Sequence, residues 1–258
     1  NFILGAYYHV EKLDTSTEYR FFTDIDVDGD GNIDADDCAV DFSTACVYRN
    51  QFAQKKSSKA LYADLTYELG ELVTLRGGLR YTWDRGRLSD FKAQAIGIDG
   101  VPVANTIPGD PGNFDATTAL RFSKGSVTGK VGVDLKLSPD HLLYASYSRG
   151  YRGSSFNSQA FFAPDELTIA KPETVDAFEI GAKTQFLDRR LTLNGAVFLY
   201  NYKNQQALSL IGVLQPLVNI PKSQIYGAEL ELVVRPLDVL TLRGGAGYLH
   251  TEIRRGNI

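Results

Sequence analysis

Residues 61–84, LYADLTYELGELVTLRGGLRYTWD, alternate apolar and polar side chains on either side of one tight turn. From 73 to 84, Val73, Leu75, Gly77, Leu79, Tyr81 and Trp83 alternate with Thr74, Arg76, Gly78, Arg80, Thr82 and Asp84. The period is 2, the signature of a strand with one apolar and one polar face. From 60 to 69, Leu61, Ala63, Leu65, Tyr67 and Leu69 oppose Tyr62, Asp64, Thr66 and Glu68 in the same way. The tight turn Glu68-Leu-Gly-Glu71 joins the two runs, so the stretch predicts an antiparallel hairpin.

The same alternation recurs along the chain. Segments 127–137, 176–186, 225–235 and 240–248 repeat it cleanly, and 2–11, 141–152 and 189–203 are strands with less distinct faces. The resulting count is about nine strands and an all-β fold. A soluble antiparallel sheet would also show one apolar face. The connections favour a membrane barrel instead. Tight turns at 68–71, 137–140, 187–190 and 235–238 alternate with long polar stretches at about 12–57, 86–125, 153–172 and 204–223. Short periplasmic turns and long extracellular loops are the rule for transmembrane antiparallel β-barrels. Tyr7, Tyr8, Tyr81, Trp83, Tyr151, Tyr200, Tyr202 and Tyr248 lie near segment ends and are expected in the interfacial girdle.

Composition is compatible with that fold. The 258 residues are 43% hydrophobic and 22% charged, with net charge -4, which provides no basic face for nucleic acid. No run approaches the roughly 18 apolar residues of a membrane helix, whereas a barrel strand needs only about 10, half of them polar. The mean hydropathy of -0.18 therefore does not exclude a membrane protein. Nine strands are an odd number, and an open sheet edge in hydrocarbon leaves backbone groups unpaired. With no initial Met and no leader, the expectation is a fragment of a larger barrel.

Several runs resemble the barrel of TonB-dependent outer-membrane receptors. They are 61–84, 131–157 (VGVDLKLSPDHLLYASYSRGYRGSSFN), Lys171-Pro-Glu-Thr-Val-Asp-Ala-Phe-Glu-Ile-Gly-Ala-Lys183, Asp188-Arg-Arg-Leu191 with Tyr200-Asn-Tyr-Lys203, and Ile225-Tyr-Gly-Ala-Glu-Leu-Glu231. Together they span about 60–252, in the family's order. The resemblance implies a 22-stranded barrel around a plug, in the bacterial outer membrane, importing a scarce nutrient such as a ferric siderophore with energy from the TonB complex. The chain departs from that whole: 1–258 shows no plug, no TonB box and no terminal strand ending in an aromatic residue.

Residues 26–37, DVDGDGNIDADD, carry calcium-loop spacing. Asp26, Asp28 and Asp30 stand at positions 1, 3 and 5, Gly31 at the turn, Asn32 where a backbone carbonyl is needed, Asp34 at 9 and Asp37 at 12. A hard cation of this size takes six to eight oxygens, and so many carboxylates repel one another without it. The alternative is a solvated acidic loop. The flanks do not read as helices, so a structural Ca2+ ordering the first outer loop is expected rather than an EF-hand. Cys38 and Cys46 follow, in a polar loop suited to an oxidising compartment, and a disulfide is expected.

No GxSxG or HExxH motif accompanies His9, His141 and His250, so an enzyme is not expected. Arg76, Arg80, Lys130, Lys183 and Arg243 are expected as polar lumen lining. Arg149, Tyr151, Arg152 and Phe156 are placed near the outer mouth as candidate ligand contacts. The other readings are a passive outer-membrane channel or adhesin, and a calcium-dependent surface-binding barrel.

Overall fold

The computed structural model describes residues 1–20, 26, 29–32, 47–96, 114–116, 119–161, 163–209 and 216–254. Nine long strands run in simple antiparallel succession: β1 (Phe2–Arg20), β2 (Val47–Leu69), β3 (Val73–Ile96), β5 (Leu120–Ser138), β6 (His141–Arg152), β9 (Glu173–Phe186), β10 (Leu191–Leu208), β11 (Leu217–Leu237) and β12 (Leu240–Arg254). Short β4 (Phe114–Ala116) pairs with β3, and β7 (Ser155–Asn157) pairs with β8 (Thr168–Ala170). The sheet is open, with β1 and β12 at its edges.

Each expected strand is present, but several run far beyond the alternating segment. A membrane crossing takes about 9–11 residues, and β2 and β3 have 23 and 24. The stretches at 12–57 and 86–125 are therefore partly ladder: β1 and β2 stay paired as far as Arg20↔Val47, and β2 and β3 as far as Val47↔Ile96. Polar Lys12–Arg20 and Val47–Lys56 hide the strand period, because above the membrane no lipid selects an apolar face. There Arg49 donates to Glu18 at 2.7 Å and Arg20 at 3.3 Å, and these bonds hold the Glu18 carboxyl below its ordinary pKa. A depressed carboxylate stabilises at neutral pH and loses that contribution on acidification.

Register fixes the two faces. Leu65↔Gly77↔Val131↔Tyr147↔Phe178↔Leu199↔Tyr226↔His250 runs across eight strands on the outer side. Leu61, Leu79, Val131, Ile180, Val197 and Leu230 on this side are all largely exposed, as lipid-facing residues are before lipid is added. Inward stand Asp64, Arg76, Lys130, Asp134 and Glu179. The girdle needs a correction. Tyr8, Tyr81, Trp83 and Tyr248 face outward, but Tyr7, Tyr200 and Tyr202 share the inner face, being paired with Ala60, Ala177 and Ser223. Tyr147, Phe178 and Tyr226 take their places outside.

The segment 153–172 also departs from expectation: it is not merely polar. It folds across the inner side of the extracellular strand ends and carries a small core. Phe156, Ala160 and Leu167 pack with Leu88, Phe91 and Ala93 of β3, supported by Phe52 and Phe122. Phe161 is wedged edge-on against Tyr19 and Tyr48, at ring separations of 5.0 and 5.3 Å. A bulge at Asp90 (φ 58°) makes this possible, since one extra residue in β3 moves the inward set from Leu88 to Phe91, Ala93 and Ala95. The far side is held by polar clamps from β10 and β11. Gln206 Nε2 donates to the carbonyls of Gly153 (2.9 Å) and Lys171 (3.0 Å), and Asn219 both accepts from Lys171 N and donates to its carbonyl. The segment thus bridges β1–β3 to β10–β11 as a cap.

Candidate functional site

Below the cap the inner wall is a field of paired charges. Lys130 Nζ lies 2.7 Å from Asp64 Oδ1, Arg76 pairs with Asp134, and Tyr144 donates to Glu179 at 2.7 Å. Tyr144 lies flat across Gly181, where any β-carbon would sit 2.5 Å from its hydroxyl. Glycine there lets the ring pack on the backbone and aims the hydroxyl along the wall. These groups line a concavity with Thr66, Ser146, Ser148 and Lys183. The lumen charges expected at Arg76, Lys130 and Lys183 are gathered in it.

Nearer the mouth, Arg80 stands 5.1 Å over the ring of Tyr7, which stacks on His9 at 6.2 Å. A second hollow is lined by His9, Glu11, Lys56, Asp84, Arg85 and Arg152, with Gly153–Ser155 of the cap as its roof. β6 leaves β5 after the pair Gly129↔Arg149, and Tyr151 beyond it donates its hydroxyl to the Asp84 carboxylate. The hollow offers imidazole, ammonium, guanidinium, carboxylate and hydroxyl groups: a surface that can hold a polar, multidentate ligand.

The four residues expected at the mouth separate. Tyr151 and Arg152 come together at this hollow. Phe156 is 7% exposed and belongs to the core of the cap. Arg149 pairs with Asp176 at 3.7 Å and shares the outward face with Tyr147. Parity from Tyr147 puts both Arg149 and Tyr151 on the outer side; Arg149 keeps to it, whereas Tyr151, beyond the point where β6 parts from β5, turns its hydroxyl to Asp84 instead of joining the girdle. His9, Tyr7 and Asp84 were not singled out as site residues; β1 alternates too weakly to mark its inner side.

In the acidic loop, Asp26 Oδ1 accepts from Gly29 N at 2.6 Å and Oδ2 from Gly31 N at 2.8 Å. Asn32 N donates to Asp30 Oδ1 at 2.7 Å. Gly29 and Gly31 take φ of 78° and 91°, the left-handed region that glycine adopts without strain. Asp28, Asp34, Asp37, Cys38 and Cys46 lie outside the described residues. Among the described residues no group of three or more His, Cys, Asp or Glu is assembled for a metal.

A family model described as "TonB dependent receptor-like, beta-barrel" matches residues 2–257. The chain belongs to this family. It is therefore an outer-membrane β-barrel chain, and the family's members are transport receptors rather than enzymes. It is 31% identical over 133 residues to the probable TonB-dependent receptor BfrD of Bordetella pertussis, a match covering 50% of this chain and 17% of that protein. It is 25% identical over 172 residues to the pesticin receptor of Yersinia enterocolitica, covering 67% of this chain and 23% of the relative. The chain thus spans about a fifth of the length of these curated relatives. Among solved structures, the ferric yersiniabactin uptake receptor FyuA of Yersinia pestis superposes with a TM-score of 0.62 at 21% identity, over 80% of this chain and 28% of that one. The siderophore receptor PiuA of Acinetobacter baumannii gives 0.61 at 21% identity, over 98% and 35%.

Proposed function

We propose that the protein to which this barrel chain belongs takes up a ferric siderophore or a related iron complex across the outer membrane, using energy delivered by the TonB complex. The observation that carries this reading is the inner wall: charged and hydroxyl groups beneath a roofed hollow at the extracellular mouth, in a chain of this receptor family. A ferric siderophore is polar and rich in oxygen donors. Arg152 and Tyr151, with His9, Lys56 and Asp84, would meet its periphery by hydrogen bonds and charge. The test is uptake of radiolabelled iron presented as siderophore complexes by iron-starved cells. Expected is accumulation that needs this protein and stops when TonB is deleted. Uptake that persists without TonB would assign a passive channel instead.

A structural calcium ion in the first extracellular loop is part of the same proposal. Side chains of Asp26, Asp28, Asp30, Asp34 and Asp37 and the carbonyl of Asn32 would hold it. The donor set fits a hard cation, being oxygen throughout, and Gly31 provides the left-handed turn that the spacing demands. The ion would supply charge neutralisation and loop order, with a Cys38–Cys46 disulfide closing the following residues. Titration calorimetry is expected to register calcium uptake at millimolar metal or below, and Asp30→Ala to raise protease cleavage of the loop. No calcium heat, or unchanged cleavage, disposes of the ion. Loss of ligand capture on Asp26→Ala with normal barrel insertion would assign the loop to surface binding.

A further inference from the structure

Above the outward aromatic row Tyr147–Phe178–Leu199–Tyr226–His250, the outer face changes character within two ladder steps. The first step is Arg149–Asp176–Asn201–Gln224–Glu252, and the second is Thr174–Lys203–Lys222–Arg254. Within the first, the acids are already occupied. Asp176 accepts from Tyr147 at 2.7 Å and pairs with Arg149, while Glu252 lies 3.4 Å from Arg254. Arg254 also donates to Gln224 at 2.5 Å, and Gln224 to Asn201 at 2.7 Å, so the lower step is a bonded band.

Lys203 and Lys222 stand apart from this accounting. They are direct cross-strand partners, both exposed, and among the described residues neither has an ion pair. Like charges facing each other across a ladder, with β-carbons about 5 Å apart, repel. Their position states what would relieve that repulsion. The apolar rows below meet lipid tails, and aromatic rows of barrels sit at the membrane interface. Two further steps along a tilted strand rise roughly 10 Å, which is the headgroup level.

We infer that Lys203 and Lys222, flanked by Arg149 and Arg254, form a binding site on the barrel's outer surface for the phosphate of an outer-leaflet lipid headgroup. The apolar belt beneath is continuous with the site, so a lipid would place its chains on Val197, Tyr226 and Leu230 while its phosphate neutralises the lysines. The site faces away from the lumen and does not depend on the uptake reading.

The test uses receptor extracted from outer membranes and reconstituted in nanodiscs of zwitterionic phospholipid doped with a phosphorylated glycolipid or its dephosphorylated counterpart, without transport substrate. Binding of the phosphorylated glycolipid is expected to weaken about thirtyfold in the double variant Lys203→Gln/Lys222→Gln, at roughly a fivefold loss for each charge near a membrane surface. Lys203→Arg/Lys222→Arg keeps the charge and should keep binding, which separates lost charge from misfolding. Equal affinity of the native protein for both glycolipids, or of the Gln variant and native protein for the phosphorylated one, overturns the inference. Displacement of the lipid by millimolar inorganic phosphate would do so too, by marking a free-anion site.

Discussion

Leu230→Arg is expected to destabilise the assembled barrel by about 2–4 kcal/mol, whereas Ser146→Arg should change it by no more than roughly 0.5 kcal/mol. Leu230 sits in the row Leu143–Ala182–Gly195–Leu230–Ala246, midway between the short-turn end and the outward aromatic row. Its side chain is 49% exposed in the bare protein, and that exposure becomes lipid contact in the membrane. A guanidinium there must deform the bilayer or draw in water. Ser146 pairs with Glu179 on the inner wall, where an added cation meets a carboxylate and solvent. Urea unfolding in lipid vesicles measures both. The predicted loss corresponds to roughly 30- to 1,000-fold in the ratio of folded to unfolded protein. Equal effects would mean that the two faces have been exchanged or that both are wet.

That contrast explains why the membrane-spanning sheet was legible in the sequence. Lipid outside and water inside impose opposite demands on successive residues, so Val73 to Asp84 or Leu61 to Leu69 declare strand, face and pairing together. The signal ends where its cause ends. Above the membrane both faces of β1, β2 and β3 meet water or protein, and a ladder such as Lys12–Arg20 against Val47–Lys55 carries no alternation that a reader can follow. In β3 the bulge at Asp90 then reverses the phase, so that Leu88 and Phe91 fall on one face at odd spacing. The cap's anchors, Phe156, Ala160, Phe161 and Leu167, are spaced by a tertiary fit rather than by a helical or strand period. Half of the candidate mouth site was legible for the same reason. Arg152 and Tyr151 follow a recognisable strand into the hollow, but their partners His9, Lys56 and Asp84 come from three distant strands that only the fold brings together.

Phe161→Ala should release the cap while leaving the barrel assembled. Phe161 is 2% exposed and fills the gap between Tyr19 of β1 and Tyr48 of β2. Removing its ring forfeits the transfer energy and leaves a void, together about 3–5 kcal/mol for a buried phenylalanine. This loss falls on a segment with few other contacts to β1 and β2, and so on its local opening rather than on the nine-stranded ladder. The clamps from Gln206 and Asn219 hold the opposite end and cannot substitute. Opening should therefore become at least a hundredfold more frequent. Protease added to intact cells should cut the variant between 153 and 172 and spare the native protein, with heat-modifiable mobility of the barrel unchanged. Phe156→Leu, which keeps most of the buried volume, should remain resistant. If Phe161→Ala resists cleavage as the native protein does, the segment is held by its packing on β3 and its polar clamps, and the aromatic wedge has no restraining role.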